Sequence, residues 1–246
     1  MQRYKCIISY DGSGFSGYQI QPNKRTVQSE LEAVLAKMHK GESIKVSASG
    51  RTDAGVHAKG QVIHFDSHLP ISEEKWEMAL NSLLPEEISV LSVKKVDSTF
   101  HARFNAIGKE YHYVLQLSKR RDPFQRNFSY LYPYELNIEA MREASCFFVG
   151  THDFTSFCSA KTEVEDRIRT IEAIDLILDN DFLTLRFVGN GFLYNMVRIL
   201  TGTLLEVGNG KRKPEEMAEL LAKKDRRLAG RTAPAQGLYL WKVFYE

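Results

Sequence analysis

Apolar residues along this chain follow one order of patterns twice: strand, helix, strand, strand, helix, strand. In the first pass, Tyr4, Cys6, Ile8 and Tyr10 alternate with Lys5, Ile7 and Ser9 and stop at Asp11-Gly12, which reads as a strand and a turn. Thr26 is placed to cap a helix whose stripe is Val27, Leu31, Val34, Leu35 and Met38, closed by Gly41. Residues 44–48 and 61–65 are short strand candidates around a loop. Ser72 opens a second helix with Trp76, Leu80, Leu83 and Leu84 on its buried side and Pro85 at its end. Ile88–Val96 is a strand rich in β-branched residues.

In the second pass, residues 109–117 alternate around Tyr111, Tyr113 and Leu115. Asn137 caps a helix carrying Ile138, Met141, Ser145 and Phe148, stopped by Gly150. Residues 167–178 and 182–188 read as a hairpin turning at Asp179-Asn180-Asp181. Residues 192–207 read as a helix, Pro214 suits the first turn of a short extra one, and Leu238–Phe244 is a closing strand. The fold class expected is therefore α+β. Two ferredoxin-like β-α-β-β-α-β halves with mainly antiparallel sheets form domains 1–105 and 106–246. The repeat is one of element order, not of residues, and one mixed sheet with helices on one face is the alternative.

Composition narrows the class. With 43% hydrophobic and 26% charged residues among 246, the chain belongs with globular proteins rather than disordered ones. No apolar run approaches the ~18 residues of a membrane span, and the start does not read as a signal peptide. Three cysteines, Cys6, Cys146 and Cys158, are too few and scattered for a disulfide framework or zinc cluster, so a reducing cytoplasm is expected. Lys and Arg number 33 against 31 Asp and Glu, a net charge of +2, which excludes a polycation but not a nucleic-acid enzyme.

The most unusual stretch is Ser49-Gly50-Arg51-Thr52-Asp53-Ala54-Gly55-Val56-His57-Ala58. It crowds an arginine, an aspartate and a histidine between two glycines and two short strands. Spacing alone favours a polar turn, with Asp53 capping its own backbone and His57 solvated, over a site. In Phe100-His101-Ala102-Arg103-Phe104, an extended chain puts His101 and Arg103 on one face, ready for a phosphate backbone, and the other three on the core. An ordinary half-buried strand explains it equally well. Lys109-Glu110-Tyr111-His112-Tyr113 interleaves aromatics with charge, which suits base stacking or simple core packing.

Basic residues cluster at Lys119, Arg120, Arg121 and Arg126, and again over residues 208–231, which hold eight Lys or Arg against four Asp or Glu. Such runs serve phosphate contact or merely solvation. Arg198, amid Met196, Val197, Ile199 and Leu200, must either reach water or pair with a carboxylate. His152-Asp153 offers a ligand or catalytic pair, but a capped loop is the better reading. There is no Walker loop, no His-Glu-x-x-His, no Cys-x-x-Cys, no Gly-x-Ser-x-Gly elbow and no metal-ligand spacing of histidines.

Taken together and in order, six segments resemble the tRNA pseudouridine synthase A family. They are the run from Tyr10 to Gln19, Gly50 to Ala58, Phe100 to Phe104 with Tyr111-His112-Tyr113, Gly150 to Phe154, Phe192 to Arg198, and Ala233 to Leu238. The resemblance implies isomerisation of uridine to pseudouridine at positions 38, 39 and 40 of the tRNA anticodon stem-loop. It implies no cofactor or metal, a homodimer, no other protein partner and no membrane, and two halves flanking a basic cleft. It further implies that Asp53 is the catalytic carboxylate, as nucleophile or charge stabiliser. Tyr111 packs on the target base and helps remove the C5 proton. Arg198 pairs with Asp53 and keeps it ionised. Arg51 fills the space of the extruded base, and His101, Arg103 and Phe104 lie in the RNA-contacting segment. Two rival classes are a non-catalytic tandem RNA-binding module and a carboxylate-nucleophile hydrolase. The first lacks the RNA-recognition strand signature, and the second lacks a metal site or an acidic partner beside Asp53.

Overall fold

A computed structural model describes residues 1–160, 162 and 164–246. The described residues form ten strands and five α-helices, a mixed α+β architecture. The chain divides into two compact units: Met1–Ile107 with Tyr239–Glu246, and Gly108–Leu238.

The first unit contains β1 (Gln2–Tyr10), α1 (Val27–Met38), β2 (Ser47–Ala48), β3 (His57–Ser67), α2 (Glu73–Leu83) and β4 (Ile88–Val96). β1 lies between β4 and β3, antiparallel to both, with Cys6 opposite Ile63 and Val93. β2 pairs with β3 at Ser47 and Ala48. Thr26 caps α1 in a capping box with Ser29, and Ser72 caps α2. Val27, Leu31, Val34 and Leu35 are buried as the stripe requires. The core is aromatic: Phe65 contacts Tyr4 and Trp76 at ring distances of 5.6 and 5.2 Å.

Three expectations are corrected here. Strand pairing does not extend over residues 44–46, because the Val46 backbone bonds to α1 side chains: Val46 N–H donates to Glu32 Oε1 at 3.1 Å and its carbonyl accepts from Gln28 Nε2. β3 is longer than residues 61–65, since it is buried on both faces and shows no alternation to read. Leu83 sits at the rim of α2, 36% exposed, rather than in the core.

The last strand, β10 (Leu238–Phe244), runs parallel to β3, with Tyr239 opposite His57 and Leu240 opposite Ala58. Sequence order places this strand at the close of the second half, whereas this pairing groups Tyr239–Glu246 with the first unit.

The second unit contains β5 (Gly108–Gln116), β6 (Tyr130–Leu131), α3 (Ile138–Cys146), β7 (Gly150–Asp153), β8 (Ile168–Asp179), β9 (Phe182–Gly189), α4 (Met196–Gly208) and α5 (Glu216–Lys223). Its strand order is β5-β9-β8-β7, antiparallel throughout, and β6 pairs parallel with β5. Asn180 takes a left-handed conformation (φ 50°) in the β8–β9 turn, as expected of asparagine there. His152 and Asp153 lie on strand β7 rather than in a loop; Asp153 accepts from the Thr155 backbone and pairs with Lys224. α4 begins at Met196, not at residue 192, because Asn195 is left-handed (φ 62°) and breaks the helical path.

Candidate active site

In the first unit, the segment following β1 is folded against the Asp53 loop. Gly12 lies so close to Val56 that a β-carbon would stand 2.0 Å from the Val56 carbonyl oxygen. Gly17 is left-handed (φ 93°), and a β-carbon there would come within 2.9 Å of the Thr52 carbonyl oxygen. Tyr18 N–H donates to that same carbonyl at 3.0 Å. The buried Tyr10 hydroxyl and Thr52 Oγ1 share a hydrogen bond of 2.8 Å. From the other side, Gln61, fully buried, accepts from Ser49 Oγ at 2.6 Å and donates to the Gly50 carbonyl at 2.8 Å. Asp53 is thus bracketed by pinned backbone: Thr52 before it, and the Asp53 carbonyl accepting from Val56 N–H after it.

His57 is not solvated. It is buried at the start of β3, its Nδ1 accepts from Gly12 N–H at 3.0 Å, and its ring stacks on Tyr239 at 4.7 Å. An accepting Nδ1 carries no proton, so the approach of Asp11 Oδ1 at 3.2 Å is proximity rather than an ion pair. Asp11 Oδ1 accepts instead from Ser13 N–H and Oγ. Arg51 is exposed and Asp53 half-buried.

Residues 100–104 are not a strand. His101 N–H donates to Asn105 Oδ1, and Arg103 N–H folds back to His101 Nδ1 at 3.1 Å, so the chain turns. Ala102 is buried while Phe104 is 76% exposed, so these two do not share a core-facing side. The turn is anchored by three side chains of the same unit. Ala102 N–H donates to His64 Nδ1 at 3.1 Å, Tyr245 Oη donates to the Ala102 carbonyl, and Arg3 donates to the carbonyls of Ser98 and Phe100 while gripping Asp66. Burial is the main reason the His64 imidazole is pushed down to about 4, and Arg3 and His101 add to it. His101 and Phe104 rings lie 4.3 Å apart, and Arg103 sits over Phe104 at 5.8 Å.

In the second unit, Tyr111 is buried on β5 with its ring edge-on to Phe192 at 5.1 Å. Arg198 is in the first turn of α4, a turn that contains no acidic residue of its own and where a cation opposes the helix dipole. Its Nε donates to the Ala233 carbonyl at 2.7 Å and its Nη1 to Asn195 Oδ1 at 3.0 Å. Ala233 N–H returns a bond to the Arg198 carbonyl. The segment over α4 is seated by two glycines: a β-carbon on Gly202 would clash with the Arg231 carbonyl at 1.8 Å, and one on Gly230 with the Thr203 backbone at 2.7 Å. Tyr113 Oη donates to the Pro234 carbonyl at 2.7 Å, and Gly237 leaves room for that ring.

Sequence reasoning missed the supports: Gly12, Gly17, Gln61 and His64 in one unit, Asn195, Gly202 and Tyr113 in the other. Gly202 carried a signal, since glycine inside a helix costs about 1 kcal/mol and implies close approach. Asn195 acts three residues away, on Arg198, while the rest depend on contacts eleven or more positions apart in sequence.

Among the described residues, no three His, Cys, Asp or Glu side chains are grouped to hold a metal, and no helix is long and apolar enough to cross a membrane.

A family model described as tRNA pseudouridine synthase matches residues 6–105 and 144–246. The chain is 59% identical over 245 residues to the tRNA pseudouridine synthase A of Geobacillus sp. (strain WCH70), covering 100% of this chain and 99% of that one. It is 60% identical to the protein of that name in Geobacillus kaustophilus (strain HTA426), covering 100% and 95%. With that of Listeria monocytogenes serovar 1/2a it shares 59% over 248 residues, covering 100% of both. On this evidence the chain belongs to the tRNA pseudouridine synthase family.

Proposed function

We propose that this chain isomerises uridine to pseudouridine at positions 38, 39 and 40 of the tRNA anticodon stem-loop. The observation that carries the reading is its near-full-length similarity, at 59% identity, to proteins named tRNA pseudouridine synthase A. The reaction breaks the N1–C1′ bond, turns the uracil, joins C5 to C1′, removes the C5 proton and leaves a proton on N1. A base stacked in a stem is out of reach, so the uridine is flipped out at a cost of roughly a few kcal/mol.

Asp53 is assigned the catalytic role, as nucleophile or as the anion that stabilises charge developing at the sugar. A loop pinned through Thr52, Gly50 and Val56 supports that role, because a reacting carboxylate must be held in place. Tyr111 packs on the base and assists loss of the C5 proton. Arg198 keeps Asp53 ionised; its fixed guanidinium in the first turn of α4 suits an anion. Arg51 replaces the extruded base, and His101, Arg103 and Phe104 contact the RNA.

The same reading holds that domains 1–105 and 106–246 are ferredoxin-like halves flanking a basic cleft. The order β4-β1-β3 in the first unit, with β2 paired to β3, supports it. It also takes the enzyme to be a cytoplasmic homodimer that needs no cofactor.

The test is tritium release from tRNA labelled at uracil C5, comparing wild type with Asp53→Ala. Release by wild type and none by the variant, with tRNA affinity kept within several-fold, is the expected result. Bound tRNA without release from either protein would move the chain to a binding role.

A further inference from the structure

The chain carries two basic clusters, and their side chains are engaged very differently. In the cluster over residues 208–231, four cations are held by carboxylates: Arg212 by Glu206, Lys223 by Glu219, Lys224 by Asp153 and Arg227 by Asp225. Arg226 is spent on the Ala229 carbonyl and Thr232, and Arg231 on the Tyr130 hydroxyl, so of the eight cations only the exposed Lys211 and Lys213 have side chains engaged by neither a carboxylate nor a hydrogen bond among the described residues. A cation already paired gains little from a phosphate, because one ion pair is exchanged for another.

The loop between β5 and β6 is the opposite case. Lys119, Arg120, Arg121 and Arg126 are all exposed, and among the described residues none of the four is in an ion pair. The single carboxylate in the run, Asp122, accepts from Phe124 N–H at 2.8 Å. That bond, with the Asp122 carbonyl accepting from Gln125 N–H, holds Phe124 outward at 83% exposure. Arg126 folds its guanidinium back to the Pro123 carbonyl, beside the ring's own backbone. An exposed aromatic amid four exposed cations that no carboxylate holds is poor design for a solvated loop and a good match for nucleic acid, where cations take phosphates and a ring takes a base.

We propose that residues 119–126 form an RNA-docking surface that grips the tRNA by its phosphates and stacks Phe124 on an unpaired base. This rests on the proposed function, and it assigns that grip to this loop rather than to the cluster at 208–231.

The test measures tRNA affinity against salt for wild type, for the triple variant Arg120→Ala, Arg121→Ala, Arg126→Ala, and for the comparison variant Lys223→Ala, Arg227→Ala. The expected result is a triple variant at least tenfold weaker at low salt, with a log K against log salt slope reduced by about 2–3, at ~0.9 per phosphate contact. The comparison variant should keep the wild-type slope. Phe124→Ala should weaken binding about tenfold and Phe124→Trp restore it. All substituted side chains are exposed, and melting curves check folding. Should the triple variant unfold, Arg121→Ala alone carries the same reading at smaller amplitude. An unchanged slope in the triple variant, or a slope lost in the comparison variant instead, overturns the proposal while wild-type tritium release still upholds the function. Absence of both tRNA binding and release from wild type overturns both. Loss of binding to phosphatidylserine vesicles with tRNA binding intact would assign the loop to a membrane surface.

Discussion

Gly12 and Val56 approach so closely that no side chain fits between them: a β-carbon on Gly12 would lie 2.0 Å from the Val56 carbonyl oxygen. Gly12→Ala must therefore push back the loop that bears Asp53. We expect a loss of about 1–3 kcal/mol in stability from overpacking, read by urea denaturation, with a fall in turnover well beyond the loss of folded protein. Gly14→Ala is the contrast. Its β-carbon would meet a side-chain end, the Arg25 guanidinium at 3.3 Å, rather than backbone, so stability and turnover should fall far less than in Gly12→Ala.

His64 gives a pH signature. Its imidazole is held neutral down to about 4, whereas in the unfolded chain it takes a proton near 6.5. The unfolded state then binds more protons between these values. Stability is full above about 6.5 and is lost as pH falls toward 4, at up to about 1.4 kcal/mol per pH unit. Asp66, lowered by its bond to Arg3, acts only below 3.8, outside this window. His64→Asn keeps an acceptor for Ala102 N–H but does not titrate, so its denaturation midpoint should fall less steeply than wild type from pH 6.5 to 5; the slope that remains belongs to His112, which burial also holds below its ordinary value. An equal slope in both proteins would refute the assignment.

Arg198→Lys separates charge from geometry. Lysine keeps a cation but lacks the fork that donates at once to the Ala233 carbonyl and Asn195 Oδ1. Single-turnover rates should fall by about 10²-fold, roughly 2.7 kcal/mol of barrier, while the melting temperature drops by a few degrees.

Two tyrosines on one strand, two residues apart, are expected to behave differently. Tyr111→Phe keeps the ring against Phe192, so the protein should fold normally, but tritium release should slow at least tenfold. Tyr113→Phe loses its hydrogen bond to the Pro234 carbonyl. It should cost about 1 kcal/mol, or some 2–4 °C in melting temperature, with the smaller effect on rate.

What was legible in the sequence was local. Caps at Thr26, Ser72 and Asn137 and the strand Ile88–Val96 could be read because their signals lie within a few residues. What was not legible depends on distant partners. Val46 leaves its strand for Glu32 and Gln28, β3 is buried on both faces, and residues 100–104 turn because His64 and Arg3 hold them. The Asp53 loop could be singled out by composition, but spacing pointed to a solvated His57. Its burial is set by Gly12 and by Tyr239, 182 positions further along.

The parallel pairing of β10 with β3 has a consequence for biosynthesis. A ribosome delivers the first 107 residues long before the strand that stacks Tyr239 on His57. At ~5–20 residues per second, the roughly 130 intervening residues impose a delay on the order of ten seconds. During that time the strand carrying His57 lacks its β10 neighbour and offers open backbone groups to any passing chain. The base of the Asp53 loop is thus among the last parts of this protein to be finished, and a nascent chain stalled before Tyr239 would be both inactive and prone to aggregate.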